Sequence, residues 1–303
     1  MKRAMTMLAA GAALLSAGVV SGGHGVDAGQ TIDPADFSPV VTNALFPLST
    51  LGPKVLVGED TDPDTDETIE ERLESRVLPQ TEIVAGVTVL VLEEKAYEDG
   101  ELVEVALDYF AQHTSGDVYY FGERVDNYEG GAVANHDGQW LAGIDGAEPG
   151  VIMAAQPQIG ATYQQELAPG IAEDMATVLS LNETVVTPAG TYTNCLKTRD
   201  FTPLEPGVEE FKFHCPGVGL AREDFEGGFL ELVSIGPAPV AATPTAALPA
   251  ATATPQTALV APDAGDGPDA YERPHVWVWV VLAAGVAGAM GGAAATRARG
   301  RAR

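Results

Sequence analysis

A run of aspartates at every second position is the stretch whose residue types and spacing most resemble a known binding chemistry. It lies in GEDTDPDTDETIEE, and its candidate metal ligands are Asp60, Asp62, Asp64, Asp66 and Glu71. Hard cations such as Ca²⁺ take several oxygen ligands from one flexible loop, and this spacing is typical of such loops. Thr65 stands where the turn glycine belongs, and the eighth position is not apolar. A solvated acidic turn between two strands is therefore the alternative.

A second set of residues combines aromatic rings with carboxylates. Its members are Asp108, Tyr109, Tyr119, Tyr120, Phe121, Glu123, Trp140 and Asp145. In a curved sheet, alternate members would line one concave face, and aromatic walls with a few polar groups suit an apolar or amphipathic ligand. The candidate ligand-binding residues are Tyr109, Tyr119, Phe121 and Trp140. The alternative is that these rings are ordinary core residues with outward-facing carboxylates beside them.

The sequence offers no motif that names a reaction. It has no G-x-S-x-G elbow and no Cys/His pair of catalytic type, and its histidines lack the paired spacing of a zinc site. We therefore predict no catalytic residue and no cofactor other than Ca²⁺. The alternative is an extracellular hydrolase in which Glu123 and Asp145 act as paired carboxylates.

Two cysteines, Cys195 and Cys215, flank a predicted hairpin. An even cysteine count in an oxidising compartment favours a disulfide, and a turn near Glu205 would place the two opposite each other. The alternation argues against this pairing, because Phe211, Phe213 and Cys215 share an apolar face whereas Cys195 lies on a polar one. We predict the disulfide, with a one-residue slip or bulge that reconciles the two faces.

The elements that must position these residues are predicted to be strands. Short runs rich in Val, Thr, Tyr and Phe alternate with Gly, Pro, Asp and Asn, and tight turns such as EDG at 98–100 connect them. The segment from Thr68 also fits a helical stripe, but its neighbours favour a strand. The predicted strands begin at Lys54, Thr68, Gly86, Glu101, Asp117, Gly138, Ala161, Met175, Gly190, Val208 and Gly227. The predicted fold is mainly β: one antiparallel, strongly curved sheet or open barrel.

Both ends of the chain carry export and membrane signals. Residues 1–28 predict a signal peptide, with a basic start, an apolar stretch and a small-residue cleavage site. Residues 276–295 are uncharged and long enough to form a transmembrane helix, and the Arg-rich residues 296–303 mark its cytoplasmic side. We predict a single-pass cell-membrane protein whose N-terminal domain is extracytoplasmic. An uncleaved N-terminal anchor and a C-terminal tail removed as a sorting signal are the alternatives.

Between these signals the chain divides into a domain and a stalk. Residues 29–236 can form an exported β domain large enough to bury a core, whereas the Pro/Ala/Thr-rich residues 237–274 predict a disordered stalk. The net charge of −27 excludes nucleic acid as an expected partner. In the predicted span, Ala284, Gly288 and Gly292 form a small-residue stripe that would allow a helix-mediated dimer.

Three segments resemble a family of uncharacterised bacterial secreted proteins and lipoproteins. They read ELVEVALDYFAQHTSGDVYYFGE, GQWLAGIDGAEPGVIM and TPLEPGVEEFKFHCPGVGLARE, and they contain YFGE and PGVGL motifs. The resemblance runs from about Asn43 to Ser234. It implies an exported protein of lipoprotein-carrier type, with a curved antiparallel sheet and an apolar concave side. It implies no catalytic residue, and Cys215 departs from the small or aliphatic residues usual there.

The function predicted from these patterns is a membrane-anchored extracytoplasmic binding or interaction module. Its expected partners are the membrane, through the C-terminal helix, and a small apolar ligand or a surface partner. The hydrolase with paired carboxylates and a Ca²⁺-stabilised structural surface protein are the two alternatives.

Overall fold

The computed structural model describes residues 32–61 and 67–238. The predicted signal peptide, transmembrane span and Arg-rich tail lie outside the described residues, as does the predicted stalk beyond residue 238. Three of the candidate metal ligands, Asp62, Asp64 and Asp66, also lie outside them. Within the described ranges, no helix is long and apolar enough to cross a bilayer.

The described chain is built from β-strands, with two short 3₁₀ helices at Pro34–Asp36 and Leu48–Thr50. The strands are β1 (Phe37–Ser38), β2 (Lys54–Thr61), β3 (Thr68–Val84), β4 (Val87–Glu98), β5 (Glu101–His113), β6 (Val118–Glu129), β7 (Ala132–Asn135), β8 (Trp140–Leu141), β9 (Glu148–Met153), β10 (Thr162–Gln164), β11 (Glu166–Leu167), β12 (Met175–Thr187), β13 (Gly190–Phe201), β14 (Glu210–Cys215), β15 (Gly219–Phe225) and β16 (Gly228–Ile235). The prediction of a mainly β fold is confirmed, and the segment from Thr68 is a strand rather than a helix.

All strand pairs are antiparallel and belong to one strongly curved sheet. Its order is β10-β12-β13-β14-β15-β16-β2-β3-β4-β5-β6-β9-β11. The two ends of this path, β10 and β11, are consecutive in the chain and are joined through Gln165. The sheet therefore nearly closes as a barrel, with one seam where the chain changes its pairing partner from β12 to β9.

The seam is made of the shortest strands in the sheet. The β9–β11 pairing covers only Glu166 and Leu167, whereas β3 runs for 17 residues and pairs along most of its length with β4. Gly150 of β9 allows the backbones to approach here, because a Cβ at this position would lie 2.2 Å from the carbonyl oxygen of Gln165. The seam is thus held by few backbone hydrogen bonds, which is typical of a region that opens at low free energy.

Apolar side chains form two buried clusters. The larger cluster gathers valines and aromatic rings from β4, β5, β6 and β9, and the segment before β2 adds Phe46 to it. The Phe46 ring lies 5.2 Å from that of Phe110 and 6.1 Å from that of His214, so this segment packs into one end of the sheet. The smaller cluster surrounds Leu56 and Leu232 and includes both cysteines.

A disulfide joins Cys195 of β13 to Cys215 of β14. The β13–β14 register continues without a shift from Asp200↔Glu210 to Leu196↔His214, which places the two cysteines opposite each other. The slip or bulge expected from the alternation is absent from this pairing. Lys197 shares the apolar face because its ammonium lies 4.5 Å and 5.0 Å from the ring centroids of Phe211 and Phe213. A cation over an aromatic ring makes this position compatible with an apolar face.

Candidate functional site

The inner face of the sheet carries an unusual number of buried charged side chains. Among the described residues, its buried carboxyl groups are Glu71, Glu94, Glu104, Asp108, Glu123, Glu166, Asp200 and Glu223. Only two lysines are buried with them, Lys54 and Lys212. These groups influence one another across strands that are not neighbours, as Glu71 of β3 and Glu210 of β14 do. They therefore face one enclosed interior rather than separate patches.

Strands β13, β14 and β15 each place one carboxylate beside Lys212. The Lys212 ammonium lies 3.7 Å from Asp200, 3.4 Å from Glu210 and 3.4 Å from Glu223. Cross-strand register explains the grouping, because Lys212 is opposite Glu223 and Asp200 is opposite Glu210. Burial alone would lower the pKa of Lys212, but the three carboxylates raise it well above its usual value. We call Asp200, Glu210 and Glu223 the lysine triad.

A second set of three carboxyl groups lies beside the seam, and these groups cluster near a phenol instead of an ammonium. Asp108 of β5 is opposite Glu123 of β6, and Glu166 is on β11. The Tyr120 hydroxyl donates a 2.9 Å hydrogen bond to Asp108 Oδ1. Glu166 is opposite Pro149 of β9, and the next residue, Gly150, is opposite Tyr120. Burial and then the charges of Asp108, Glu123 and Glu166 raise the pKa of Tyr120 well above its usual value. We call Asp108, Glu123 and Glu166 the seam triad.

The seam triad lacks hydrogen-bond donors. Within the described part of the chain, the second Asp108 oxygen and both oxygens of Glu123 and Glu166 have no hydrogen-bond partner. Glu123 and Glu166 are fully buried. No lysine or arginine in the described ranges forms an ion pair with any member of this triad. Buried carboxylates normally carry partners, because leaving them unpaired is costly.

Protonation of the carboxyl groups can offset part of the cost of the missing hydrogen-bond donors. Burial and then the charge of Asp108 raise the pKa of Glu104 to about 8, and burial raises that of Asp108 to about 7 against the Tyr120 hydrogen bond. Burial, with Asp108 and Glu104, raises the pKa of Glu123 well above its usual value. Burial, followed by Asp174 and Glu123, does the same to the pKa of Glu166. Burial in this interior therefore favours the protonated form of these four carboxyl groups.

A bulge in β6 brings Tyr120 and Glu123 to the same face. Residues three apart on a regular strand face opposite sides, but the β5–β6 register shifts between Asp108 and Phe110. Gly122 lies within the bulge with φ of +111°, and a Cβ there would lie 2.3 Å from the carbonyl oxygen of Trp140. Glycine is thus required at this position of the YFGE motif by both backbone conformation and space.

The predicted aromatic residues divide between the two faces of the sheet. Trp140 is opposite Glu123 and meets the Tyr120 ring edge to face at 5.4 Å, so it faces the interior. Tyr119 and Phe121 face outward and are covered by Phe37, whose ring lies 5.2 Å and 5.4 Å from theirs. Tyr109 also faces outward, under Arg124. The four predicted residues therefore do not line one concavity, although Tyr120, Asp108 and Glu123 of the same set do.

Of the candidate metal ligands, Asp60 and Glu71 are described. They lie on β2 and β3 at the end of the sheet opposite Phe46, and burial followed by the charges of Asp60, Glu98 and Glu210 raises the pKa of Glu71 to about 8. No three His, Cys, Asp or Glu side chains in residues 32–61 and 67–238 are arranged to hold a metal ion. The Ca²⁺ loop stays a prediction.

The residues considered for catalysis are separated. Glu123 is fully buried, whereas Asp145 is exposed in a turn, so they do not face one cleft. His113, Ser115 and Asp117 do meet in another turn, where the Ser115 hydroxyl donates to Asp117 at 2.7 Å. The His113 Nδ1 atom accepts the Ser115 backbone N–H at 3.1 Å, so this histidine is not arranged as a base between serine and aspartate. These contacts stabilise the turn.

Sequence reasoning missed Glu166, Lys212 and most of the inner carboxyls. In β5 the face with Val103, Val105 and Leu107 is half-buried, whereas the face with Glu104 and Asp108 is buried. An acidic residue at every second position of a strand is a signal of the solvent side in most sheets. The enclosed polar face could have been suspected only from the similar pattern on several strands.

Comparison with known proteins adds little to these observations. No family model and no curated protein matches the chain. Among solved structures, a putative lipoprotein from Parabacteroides distasonis is similar, with 14% sequence identity and a TM-score of 0.34. The match covers 64% of this chain and 99% of that one. A TM-score of this size does not establish a common fold, and the resemblance drawn from the YFGE and PGVGL motifs stays a prediction.

Proposed function

We propose that this chain is a binding module that takes a cationic ligand into the interior of its sheet. The observation that carries this proposal is the state of Glu123 and Glu166. Both side chains are fully buried, and among the described residues none of their four carboxyl oxygens has a hydrogen bond of normal geometry, although the Tyr120 hydroxyl is close enough to lower the pKa of Glu123. A bound cation would supply the missing partner and would offset the cost of desolvating the carboxylates.

A cationic ligand fits the inner face better than the apolar ligand expected from the sequence. The inner face combines eight buried carboxyl side chains with two buried lysines in the described ranges. Of the four aromatic residues predicted to bind an apolar ligand, Tyr109, Tyr119 and Phe121 face outward, where Phe37 already covers the last two, and Trp140 faces the interior. Apolar surface that is already packed offers little further gain from binding.

The location proposed for this module comes from the sequence. A cleaved signal peptide, a stalk at 237–274 and a transmembrane helix at 276–295 would hold the domain outside the cell membrane, facing the medium. The strongly acidic chain, with net charge −27, would attract cations to this surface and raise their local concentration. A Ca²⁺ ion at the Asp60 loop and a dimer through the span are further partners consistent with this arrangement.

Thermal unfolding of the full-length chain in detergent tests the proposal. The probes are K⁺, Ca²⁺, n-butylammonium and neutral n-butanol, compared at constant ionic strength because exposed charges respond to salt alone. We expect at least one cation to raise the midpoint saturably and butanol to leave it unchanged, since a ligand that binds only the folded state stabilises it. Equal, unsaturable effects of every cation would refute the proposal, as would saturable stabilisation by butanol alone.

A further inference from the structure

The two triads of the interior present the same ligand set to different centres. In the lysine triad, three carboxylates surround the primary ammonium of Lys212 at 3.4 to 3.7 Å. In the seam triad, Tyr120 has a single O–H and donates it to Asp108, Glu123 is opposite Asp108, and Glu166 reaches the same region from across β9. On the basis of the proposed cation-binding interior, we infer that the seam triad binds the head group of a small primary amine in its ammonium form.

Hydrogen-bond chemistry selects a primary ammonium among cations. Such a group carries three N–H donors, one for each carboxyl of the seam triad. In the described chain, five of the six oxygens of this triad have no hydrogen-bond partner. A quaternary ammonium has no donor to offer them.

Aromatic rings beside the triad suit the carbon part of such a ligand. The Trp140 side chain is opposite Glu123, and its ring meets Tyr120, which in turn stacks on Phe110 at 4.9 Å. These rings form an apolar wall next to the carboxyls, and an aromatic face attracts an alkylammonium cation. The indole N–H of Trp140 is buried and also has no acceptor within the described residues.

The seam gives this site a route to solvent. Glu166 belongs to β11, which pairs with β9 through two residues only, so displacing this strand breaks few backbone hydrogen bonds. The lysine triad touches the seam through Asp200, which accepts a 3.3 Å hydrogen bond from Gln165 Nε2. Its own strands are held over a longer stretch, because β13 and β14 pair over Leu196 to Asp200 and the disulfide joins them beyond Leu196. Opening at the seam exposes the triad without separating any long strand.

Binding exchanges protons for the ligand. A protonated carboxyl of the triad releases its proton to solvent, and the resulting carboxylate accepts an N–H of the ammonium, so total charge is conserved. The charged groups that act on this exchange are Glu94, Glu104, Asp174 and Lys212, on or beside β4, β5, β11 and β14. Lys212 favours the ionised triad, whereas the three carboxylates oppose it. Affinity therefore increases from mildly acidic to mildly alkaline pH.

Calorimetric titration of the full-length chain with n-butylammonium tests this inference. The protein is kept near pH 7.5, at about 0.3 M NaCl so that its acidic surface is screened. We expect E123Q/E166Q to weaken binding at least about tenfold, because hydrogen bonds to charged groups are lost. Glu129→Gln, at an exposed position of β6, is the matched control and should bind as the unmodified chain does. Two buffers of different ionisation enthalpy should reveal proton release only while the triad is intact.

Two further probes define the head group and its source. Tetramethylammonium should bind at least about tenfold more weakly than butylammonium, because it donates no hydrogen bond. Binding of Nα-acetyl-lysine methylamide in preference to butylammonium would overturn the free amine as ligand and indicate a lysine side chain. Unchanged affinity in E123Q/E166Q, or equal affinity for the quaternary ion, would also overturn the inference. If K⁺ or Ca²⁺ binds and butylammonium does not, the ammonium inference fails while the cationic interior stands.

Discussion

The lysine triad and the seam triad solve the same physical problem in different ways. In each, burial raises the pKa of two or more of the three carboxyl groups towards the neutral form: Asp200 and Glu223 in one, and Asp108, Glu123 and Glu166 in the other. At the lysine triad the chain supplies its own ammonium, Lys212, from a long strand that a disulfide joins to its neighbour. At the seam triad the described chain supplies one phenol, from a bulge beside the shortest strands of the sheet.

This difference gives the lysine triad a structural role and the seam triad a ligand-binding role within the same interior. A buried charge cluster that holds its own counterion contributes to a fixed fold, whereas one without a counterion is costly unless something binds. Such costs are commonly kept at sites that act on ligands. The lysine triad therefore provides a reference, because the same substitutions can be made in both triads and their effects on stability compared.

The largest expected effect comes from removing the counterion of the lysine triad. Lys212→Met leaves Asp200, Glu210 and Glu223 without an ammonium, and we expect it to lower the free energy of unfolding by about 3–5 kcal/mol near neutral pH. Urea unfolding of the full-length chain measures the change. Lys197→Met, on the outer face over Phe211, is the matched control. An equal loss in both variants would contradict the role given to the lysine triad.

Removing the disulfide should weaken the fold without touching the seam. Cys195 and Cys215 close a loop of 20 residues, so replacing both by alanine should lower the free energy of unfolding by about 3 kcal/mol. Because the disulfide lies on the face of β13 and β14 that carries Lys197, rather than on the inner face, the butylammonium affinity of the folded variant should be unchanged. A loss of affinity in protein that circular dichroism shows to be folded would mean that the two regions are not independent.

The seam triad should respond to neutralisation in the opposite direction. Glu166→Gln removes a buried acid whose pKa burial, Asp174 and Glu123 raise well above its usual value, so it should stabilise the empty protein by about 1 kcal/mol near pH 8. Near pH 5 the gain should vanish, because the unfolded glutamate is then also partly protonated. Glu223 is buried with a raised pKa as well, but Glu223→Gln also removes an ion-pair partner of Lys212 at 3.4 Å, so its gain should be smaller than that of Glu166→Gln or turn into a loss. Similar responses of the two variants would remove the distinction between the triads.

The smallest expected effect is the pH dependence of the empty protein. The pKa of Glu104 is raised to about 8 and that of Asp108 to about 7, so the folded state binds more protons than the unfolded state. The stability that these two carboxyl groups contribute is fully present below their ordinary pKa values, and it is lost as pH rises through 7 to 8. Burial, with Lys54 and Lys212, lowers the pKa of His214 to about 3, and this opposes stability as pH falls below 6.5.

The thermal midpoint of the empty protein should therefore be highest in mildly acidic buffer and decrease towards pH 8. Saturating butylammonium should reduce that decrease, because it occupies the ionised triad. A midpoint that rises steadily from pH 6 to 8 without ligand would show that the inner carboxyls are ionised at little cost.

Local sequence patterns predicted most of the longer strands, but not which of their side chains face the interior. The strands from Lys54, Thr68 and Glu101 were predicted at their observed starts, whereas β9 and β15 were missed because GVIM and GLARE are short and lack clear alternation. The disulfide was predicted from cysteine count, but not its regular register, since the packing of Lys197 on Phe211 depends on the neighbouring strand.

The candidate site could be predicted only in part. The acidic and aromatic set around Asp108 and Glu123 was recognised, but the bulge at Gly122 decides which of its members face inward. Glu166 comes from a two-residue strand more than forty positions away from Glu123, and only closure of the sheet brings it to Tyr120. Long-range closure leaves no local pattern, so the seam triad becomes visible only in three dimensions.

Infrared difference spectroscopy on the full-length chain tests the central claim most directly. Protonated and ionised carboxyl groups absorb at different frequencies, so adding butylammonium near pH 7 reports the state of the inner acids. We expect a protonated-carboxyl band to be lost and a carboxylate band to appear, with both changes absent in E123Q/E166Q and present in Glu129→Gln. A spectrum in which butylammonium leaves the protonated-carboxyl band unchanged, or changes it equally in E123Q/E166Q, would contradict the account.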